Sequence, residues 1–522
     1  MTQARPSRVL MLQGTASDVG KSLLATALCR IFAQDGLSVA PFKSQNMSLN
    51  SYVTPDGKEI GRAQGMQADA CGVPATTDMN PILLKPSSDR TSQVVVHGKP
   101  YRTMEAFSYR RDYLDEAGKI AREALERLRS RFDIVLLEGA GSPAEINLKD
   151  RDIVNMRMAG WADSPVLLVA DIDRGGAFAS IVGTMELLEP EERARVQGFI
   201  INKFRGDVGL LRPGLEWLEN RTGKPVVGVV PYLDGLLLEA EDSLSYRRQG
   251  RRGNGGSGGK LLDIAVVRYP RWSNFTDLDP LFAEKDVAVR YVARADEFGF
   301  PDAVVLPGSK NTAEDLLFLR ETGLDRLLLR YGEDGGWLTG ICGGFQMLGE
   351  KLRDPEGIES EHRVLAGLGL LPMETTFGAG KRTERVTGTA TGWRDPDGEV
   401  PSYEIEGDEI HMGVSAFARD VERPMRVREP GDRESVSPSS WPEGARSEDG
   451  KIWGTYIHGI LHNDEYRRGW LNAVRRSKGW EPIEGELVFN RLREAEFDRL
   501  AEHFRRHADV DRIYRIMGIA RP

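Results

Sequence analysis

The sequence predicts an α/β protein built from two parallel-sheet domains with a helical C-terminal tail. Short apolar runs alternate with amphipathic helical stretches through the first 235 residues, and a second series of this kind starts at Leu262. Several of these runs are apolar on both faces, as buried strands of parallel sheets are. The charged segment from His462 to Met517 has a helical pattern. Alternation of β and α indicates parallel sheets covered by helices on both faces.

The stretch Gln249–Lys260 interrupts this alternation, because it is Gly-rich, basic and devoid of apolar residues. We interpret it as an interdomain linker; the alternative is a long surface loop within one domain. The predicted domains are 1–248, the linker 249–260, 261–465 and a helical extension 466–522. The predicted strands are Val9–Leu12, Ser38–Phe42, Asp133–Leu137, Val166–Ala170, Gly198–Ile201 and Val226–Val230, then Leu262–Val267, Ala303–Leu306, Trp337–Ile341 and Ile452–Ile457.

Bulk composition excludes several classes of protein. The 522 residues carry a net charge of −9, which argues against a general nucleic-acid binder and gives no reason to expect an anionic membrane partner. No apolar stretch approaches the roughly 18 residues that span a bilayer. The three cysteines, Cys29, Cys71 and Cys342, lack disulfide or metal spacing, which favours a reducing cytoplasm. The oligomeric state stays open, and a homo-oligomer is one possibility.

The first motif runs from Gly14 to Ser22, GTASDVGKS, between a strand and the helix Leu23–Gln34. Backbone N–H groups of such a loop surround phosphates, with Lys21 at the terminal phosphates and the Ser22 hydroxyl on Mg²⁺. The alternative is a strand-to-helix turn that uses Gly and Ser for geometry only. The predicted ATP contacts are Gly14, Thr15, Val19, Gly20, Lys21 and Ser22. ATP and Mg²⁺ are therefore the expected cofactors.

This loop resembles the dethiobiotin synthetase-like branch of P-loop enzymes, which activate carboxylates through a phosphorylated intermediate. Ala16 stands where the related partitioning ATPases carry an extra lysine, which disfavours that class. The resemblance implies that Asn202, after the strand Gly198–Ile201, contacts adenine.

Carboxylates follow two further predicted strands of the first domain. Glu138 ends one strand, and Asp171 and Asp173 follow another. Strand C-termini lie on the ligand side of a parallel sheet, so we predict Glu138 as a second Mg²⁺ ligand beside Ser22. For each carboxylate the alternative is a helix cap or a loop residue.

The second motif is Gly340-Ile-Cys342-Gly343-Gly344, a strand-to-helix turn with a cysteine at its tip. Small residues on each side suit the strained turn of a nucleophile, and a helix N-terminus favours the thiolate. We predict Cys342 as the nucleophile, with oxyanion donors from the backbone N–H groups of Gly343 and Gly308. The alternative is an inert buried cysteine.

A general base must accompany the nucleophile, and His458 ends an apolar strand downstream of Cys342. This arrangement resembles class I glutamine amidotransferases. Their usual orienting Glu stands two residues after the His, and here that position is Ile460. The third member is therefore open. His411 is the second candidate for the base.

The combination resembles the cobyric acid synthase family of cobalamin-pathway amidases, over about Arg8 to Glu465. The resemblance is carried by segments of the sequence such as FKSQNMSLNS from Phe42, NPILLKP from Asn80, EGAGSPAEINL from Glu138, DIDRGG from Asp171 and LPGSKNT from Leu306. The sister a,c-diamide synthases carry a different pattern after the equivalent of Lys43.

The resemblance implies an activity. The b, d, e and g carboxylates of adenosylcobyrinic acid a,c-diamide would be amidated with ATP and L-glutamine. Lys43, Gln45 and Asn46 would lie on the corrinoid and phosphate side; the alternative is a surface loop. Two other readings stay open: a related amidoligase, such as the a,c-diamide synthase or cell-wall glutamate amidase, and a P-loop switch protein with an inactive amidotransferase domain.

Overall fold

The structure, a computed structural model, describes residues 7–86, 91–105, 114–238, 260–430, 440–485 and 487–522. It consists of two compact units, Met1–Glu241 with Arg493–Pro522, and Asp242–Leu492. The predicted linker lies outside the described residues apart from Lys260, so the domain boundaries at 248 and 261 stay predictions. Within the ranges given, no helix has the length and apolar character to cross a membrane.

The first unit contains twelve described strands and seven described helices before its C-terminal part. The strands are β1 (Arg8–Gly14), β2 (Val39–Phe42), β3 (Gln45–Met47), β4 (Ser51–Val53), β5 (Glu59–Gly61), β6 (Ile82–Pro86), β7 (Thr91–Val96), β8 (Lys99–Glu105), β9 (Ile134–Glu138), β10 (Val166–Asp171), β11 (Val196–Phe204) and β12 (Val226–Pro231). The helices are α1 (Lys21–Gln34), α2 (Arg62–Cys71), α3 (Leu114–Arg129), α4 (Met156–Ala162), α5 (Ala177–Leu187), α6 (Pro190–Arg195) and α7 (Val208–Thr222).

The main sheet of this unit has the order β12-β11-β10-β1-β9-β2, and every pairing in it is parallel. All six predicted strands of the first domain are therefore confirmed, to within a few residues at their ends. Successive side chains of β1 belong to different cores: Val9 and Met11 to one, Leu10 and Leu12 to the other. This period of two is what a strand buried on both faces requires.

A smaller sheet that the sequence analysis did not predict lies in the segment that follows β2. Its order is β3-β6-β7-β8, and β4 pairs with β5 in a separate hairpin. The β3–β6 pairing is parallel, with Gln45 opposite Ile82. Within the segment from Lys43 to Ser51, Gln45–Met47 and Ser51 thus belong to strands.

The second unit contains fifteen described strands and continues the numbering of the first. Its strands are β13 (Leu262–Val267), β14 (Trp272–Ser273), β15 (Val287–Val292), β16 (Ala303–Leu306), β17 (Gly308–Ser309), β18 (Trp337–Ile341), β19 (Lys351–Arg353), β20 (Val364–Ala366), β21 (Met373–Thr391), β22 (Ser402–Phe417), β23 (Met425–Arg428), β24 (Trp441–Glu443), β25 (Ala445–Arg446), β26 (Ile452–Thr455) and β27 (Ile457–His458). Its helices are α8 (Asp279–Ala283), α9 (Thr312–Glu321), α10 (Leu324–Glu333), α11 (Gly343–Leu348) and α12 (Asp464–Ser477). A 3₁₀ helix, Phe275–Leu278, precedes α8.

The core sheet of this unit has the order β15-β13-β16-β18-β26-β25, parallel except for β25. The four predicted strands are present, although the last is divided into β26 and β27. A second sheet is built on the long antiparallel pair β21 and β22 and also holds β27. The α/β class is therefore confirmed, with an antiparallel sheet added to it.

The predicted helical extension, 466–522, is helical but divided between the two units. Helix α12 belongs to the second unit, and α13 (Phe489–His507) contains the boundary at Arg493. From there on, α13 and α14 (Val510–Ile516) complete the first unit's core: Phe497, Leu500 and Phe504 pack in the same cluster as buried residues of α1. Buried residues of α2, such as Met66 and Ala70, belong to the same cluster, so α1, α2, α13 and α14 pack together in it.

Replacing Phe504 by Ala tests this closure. Phe504 has no exposed surface, so its truncation leaves a cavity in the first unit's core. We expect a loss of about 3–5 kcal/mol in the free energy of unfolding of that unit. The measurement is urea unfolding followed by circular dichroism. Glu502→Ala, on the exposed side of the same helix, is the matched control, and an equal effect of both changes would contradict the packing.

Candidate functional sites

The phosphate loop lies between β1 and α1, in a backbone conformation that explains its glycines. Gly20 has φ 95°, in the left-handed region, and a Cβ there would lie 2.3 Å from Nδ2 of Asn202. A Cβ at Gly14 would lie 2.6 Å from Val19 and 2.9 Å from the Lys21 ammonium. Only glycine satisfies these positions, because any larger residue clashes or is strained.

The predicted phosphate ligand Lys21 lies within this loop. Its ammonium donates to the carbonyls of Ala16 at 3.1 Å and Gly141 at 3.3 Å. The loop is tied to the sheet because Thr15 N–H donates to Val169 O at 2.9 Å. The lysine is thus held against the loop that a phosphate would occupy, by carbonyl contacts that a phosphate oxygen would replace.

Glu138 is the polar centre of this site. Its carboxylate accepts from the Ser22 hydroxyl at 2.9 Å, the Lys43 ammonium at 2.8 Å and the Gln67 amide at 2.7 Å. Glu138 is only 2% exposed, and β9, which it ends, lies beside β1 in the sheet. The structure therefore brings together three residues that the sequence analysis singled out separately, and it adds Gln67 to them.

The donors at this place fit Mg²⁺. The ion prefers oxygen ligands and is usually held by one or two carboxylates together with substrate phosphates. A hydroxyl and a carboxylate in contact, Ser22 and Glu138, supply the protein's share of that set. In the described part of the chain no group of three or more His, Cys, Asp and Glu side chains could hold a metal ion by itself.

The ends of β10 and β11 border the same loop. Asp171 and Asn202 are register partners, and the Asn202 amide donates to Val19 O at 2.8 Å. Lys203, with φ 59°, donates to Asp171 at 2.9 Å. Asp173 pairs with Arg205 at 3.2 Å. Asn202 therefore braces the loop in this structure, and its contact with adenine stays a prediction.

The remaining predicted residues on the substrate side, Gln45 and Asn46, lie in β3. Asn46 is buried, and its amide donates to Oε1 of Gln64 at 3.0 Å. Gln45 lies in β3 and is half-buried. Lys43, the third residue predicted on this side, contacts Glu138 through its ammonium at 2.8 Å.

The nucleophile candidate of the second unit lies at a strained turn. Cys342 has φ 50° and ψ −107° between β18 and α11. A Cβ at Gly344 would lie 2.0 Å from Leu306 O, and one at Gly340 would lie 2.7 Å from Gly344 O. Both glycines are thus required by close backbone packing. Strain at a non-glycine residue is typical of functional sites.

Cys342 and His458 are brought together with a carboxylate. Cys342 N–H donates to Thr455 O at 2.8 Å, which fixes the turn to the strand that precedes His458. The His458 and Cys342 side chains interact electrostatically, and Nδ1 of His458 lies 2.7 Å from Oδ2 of Asp277. All three residues are buried, at 3–6% exposed. The arrangement is a Cys–His–Asp triad.

Asp277 is the residue that sequence reasoning missed. It lies in the 3₁₀ helix after β14, 181 positions before His458, and its other oxygen accepts from Gly459 N–H at 2.7 Å. A weak signal was present, because the segment follows the strand Leu262–Val267 and so starts at the carboxyl edge of the sheet. Ile460, in the usual position of the third member, is buried and apolar.

The electrostatics of His458 follow from these contacts. Burial lowers its pKa, but the negative charge of Asp277 and the Cys342 side chain outweigh burial and raise the pKa to about 10. The imidazole is therefore protonated at neutral pH.

The predicted oxyanion residues lie on either side of this triad. A Cβ at Gly308 would lie 2.9 Å from Cε1 of His458, and one at Gly343 would lie 2.7 Å from Ser309 N. The loop after β16 therefore packs directly against both the base and the nucleophile turn. Its role in binding an oxyanion stays a prediction.

His411, the second candidate for the base, has other contacts. Its ring stacks on Tyr456 with centroids 3.9 Å apart, and its Nδ1 lies 2.8 Å from Gly413 O. The neighbouring Ile410 carbonyl lies 3.4 Å from the Cys342 sulfur. His458 therefore stays the predicted base, and His411 lies beside the site with contacts of its own.

A buried acid supports the strand that carries His458. Glu443 accepts from the Thr455 hydroxyl at 2.5 Å and from Tyr456 N–H at 2.7 Å. Burial, together with the charge of Glu409, raises the pKa of Glu443 to about 7. These bonds stabilise the bend between β26 and β27, and His458 lies at the end of β27.

Comparisons with known protein families agree with this division of the molecule. Residues 10–244 match the CobQ/CobB/MinD/ParA nucleotide binding domain. Residues 263–466 match the CobB/CobQ-like glutamine amidotransferase domain. The phosphate loop lies in the first match and the Cys–His–Asp triad in the second.

Relatives match this chain over nearly its full length. A cobyric acid synthase of Geobacillus kaustophilus is 52% identical over 99% of this chain and 98% of its own. One from Desulforamulus reducens is 50% identical over 98% of each chain. One from Sorangium cellulosum is 50% identical over 98% of this chain and 99% of its own. The chain therefore belongs to the cobyric acid synthase family of glutamine-hydrolysing amidoligases.

Proposed function

We propose that this protein amidates the b, d, e and g carboxylates of adenosylcobyrinic acid a,c-diamide, with one ATP and one L-glutamine for each amide. The observation that carries the proposal is the assembled triad of Cys342, His458 and Asp277 in one unit, in a chain whose other unit has a phosphate loop. The names of the full-length relatives support the choice of substrate.

Glutamine hydrolysis is assigned to the second unit. The Cys342 thiolate attacks the side-chain amide carbon, and protonated His458 gives its proton to the departing ammonia. The resulting thioester is hydrolysed by water, with His458 now acting as the base. Asp277 keeps the imidazole in one orientation and supports its positive charge through both half-reactions.

Carboxylate activation is assigned to the first unit. A carboxylate oxygen of the corrinoid attacks the γ-phosphorus of ATP, ADP leaves, and an acyl phosphate forms. Ammonia then attacks the acyl carbon and phosphate leaves. Lys21 would stabilise negative charge on the transferring phosphoryl group. Mg²⁺, held by Ser22 and Glu138, would neutralise charge on the phosphate oxygens when it is bound.

Lys43 has a defined place in this scheme. Its buried ammonium already contacts Glu138, so it lies at the metal side of the phosphate loop. From there it would contact the acyl phosphate or the attacking carboxylate, while Gln45 and Asn46 extend the polar surface toward the corrinoid.

We place the enzyme in the cytoplasm, since its three cysteines are free and buried.

The alternative of an inactive amidotransferase domain is disfavoured by geometry. A domain kept only for binding would not need a strained cysteine at a glycine-flanked turn or a buried His–Asp pair beside it. The alternative of a related amidoligase is disfavoured by the full-length match to cobyric acid synthases.

The first test is the identity of the product. Purified enzyme is incubated with cobyrinic acid a,c-diamide, ATP and glutamine that carries an isotopic label in its amide nitrogen. We expect mass spectrometry to find four labelled amides in the final corrinoid. Consumption of ATP and glutamine without any label in the corrinoid would refute the proposed substrate.

The two sites can be separated by choice of nitrogen donor. Cys342→Ala removes the nucleophile, so glutamine-dependent synthesis should vanish while synthesis from added ammonium is retained. Lys21→Ala should lower synthesis by about 100-fold or more with either donor, because phosphoryl transfer loses a charge that stabilises it. Initial rates of ADP and amide formation measure both. Equal loss with both donors in the Cys342 variant would contradict separate sites.

The orienting role of Asp277 predicts a change in rate and in pH dependence. Asp277→Asn should lower the glutaminase rate by about 10²- to 10⁴-fold, the upper end being the loss known for serine-protease triads. Removing the carboxylate also removes the charge that raises the pKa of His458 to about 10. The alkaline limb of the kcat/KM profile, where the imidazolium loses its proton, should therefore move to lower pH.

Asp279→Asn, two positions away in α8, is the matched control and should keep both the rate and the profile. An Asp277→Asn variant with an unchanged alkaline limb would show that another group orients His458.

A further inference from the structure

Asp315 is a fully buried carboxyl that the reaction scheme above does not use. It lies in α9 and has no exposed surface. Its two oxygens have one partner each: the Ser309 hydroxyl donates at 2.6 Å, and Arg271 N–H donates at 3.1 Å. Burial raises the pKa of Asp315 to about 7 against these two bonds. Such a group is costly at a purely structural position, where a neutral side chain would serve.

One partner of Asp315 lies in a strand, and the other lies just before the strand that pairs with it. Ser309 belongs to β17, and Arg271 immediately precedes β14; these short strands pair antiparallel, with Trp272 opposite Ser309. Lys310 N–H donates to Arg271 O at 2.8 Å and extends the pair by one residue. The carboxylate therefore binds across the strand pair and fixes its register, which two strands of two residues could not hold alone.

Each strand of this pair leads to a different part of the triad. On one side, Gly308 packs against His458, and Ser309 packs against Gly343, the residue after the nucleophile. On the other side, the chain continues from β14 into the 3₁₀ helix that carries Asp277. The register of β14 against β17 thus sets where Asp277 lies relative to His458 and the Cys342 turn.

A second set of hydrogen bonds holds Pro307, at the start of the loop that follows β16. The buried Tyr269 hydroxyl donates to Pro307 O, which also accepts from Gly344 N–H at 3.1 Å. The loop is therefore held at Pro307 by the nucleophile helix and Tyr269, and at Ser309 by Asp315. Between these two points lies Gly308, in contact with the base.

We propose that Asp315 is a positioning residue for glutamine hydrolysis, which holds the β14–β17 pair so that Asp277, His458 and the Cys342 turn keep their mutual geometry. The proposal rests on the assignment of glutaminase activity to this unit. Asp315 touches none of the reacting atoms and acts through Ser309 and Arg271.

The test uses Asp315→Asn in the full-length enzyme. An amide has the same shape but offers only one acceptor, so it cannot accept from both the Ser309 hydroxyl and Arg271 N–H. We expect kcat of the glutaminase to fall by about 10- to 100-fold, less than the roughly 10²- to 10³-fold loss for a direct transition-state contact. The KM for glutamine and the ammonium-dependent synthesis rate should stay within about twofold of wild type.

Two further variants make the result decisive. Ser309→Ala removes one of the two bonds and should give a smaller loss of kcat in the same direction, which also serves if Asp315→Asn does not fold. Asp286→Asn removes another buried carboxylate of this unit, one paired with Arg468 and Arg475. It should lower the melting temperature without lowering the glutaminase kcat of the folded enzyme.

Each outcome separates this inference from the proposed function. Wild-type enzyme that releases no ammonia from glutamine would refute the glutaminase assignment itself. If the wild type is active and both Asp315→Asn and Ser309→Ala keep the wild-type kcat, only the positioning role is overturned. A parallel fall of glutaminase and ammonium-dependent rates, matched by Asp286→Asn, would show a general loss of stability and would also overturn it.

Discussion

Parallel strands end at one edge of their sheet, and both candidate sites depend on that constraint. In the first unit, Glu138 ends β9, and the phosphate loop follows β1 beside it. In the second, Cys342 follows β18 and Gly308 lies just beyond β16, its neighbour. Helices on both faces leave this edge as the place where loops from separate strands meet. Residues far apart in sequence are collected there without long excursions of the chain.

The chemistry at both edges depends on carboxylates buried with specific partners. Glu138 has three side-chain donors, and Asp277 has the His458 ring and a backbone N–H. Removing a carboxylate from water costs several kcal/mol, which its contacts offset only in part, so buried ion pairs add little net stability. Their presence is better explained by what they hold: Lys43 beside the phosphate loop in one unit, and the His458 imidazole in the other.

The sequence was most informative where the functional residues are close together in the chain and form a short motif. The glycines of the phosphate loop and of the Cys342 turn are required by backbone conformation and close approach, and these requirements appear as short motifs. The buried strands were equally readable, because a strand covered on both faces is a continuous apolar run. His458 could be predicted from its place at a strand end.

Other features lie beyond what a local pattern can give. The β21–β22 pair has charged and polar residues along its length, so it lacks the apolar run that identified the core strands. The packing of α13 in the first unit depends on contacts with α1, which lies more than 400 residues earlier in the chain. Asn46 and Gln45 could be placed near the substrate only by resemblance, because their neighbours are set by a small sheet whose strands β3 and β6 are 34 residues apart.

Asp277 shows why the missing third residue could not be found by its usual spacing. A carboxylate two positions after the histidine is held there by the local chain, whatever the rest of the domain does. Here Ile460 fills that position with an apolar side chain, and the carboxylate comes from 181 residues upstream. Orientation of the base then depends on tertiary contacts: on the 3₁₀ helix that carries Asp277, and on the strand pair before it. The same segment pairs with the loop that borders the nucleophile. In this family member the histidine and the predicted oxyanion loop are thus positioned by one shared piece of structure, so a change in that piece alters both together.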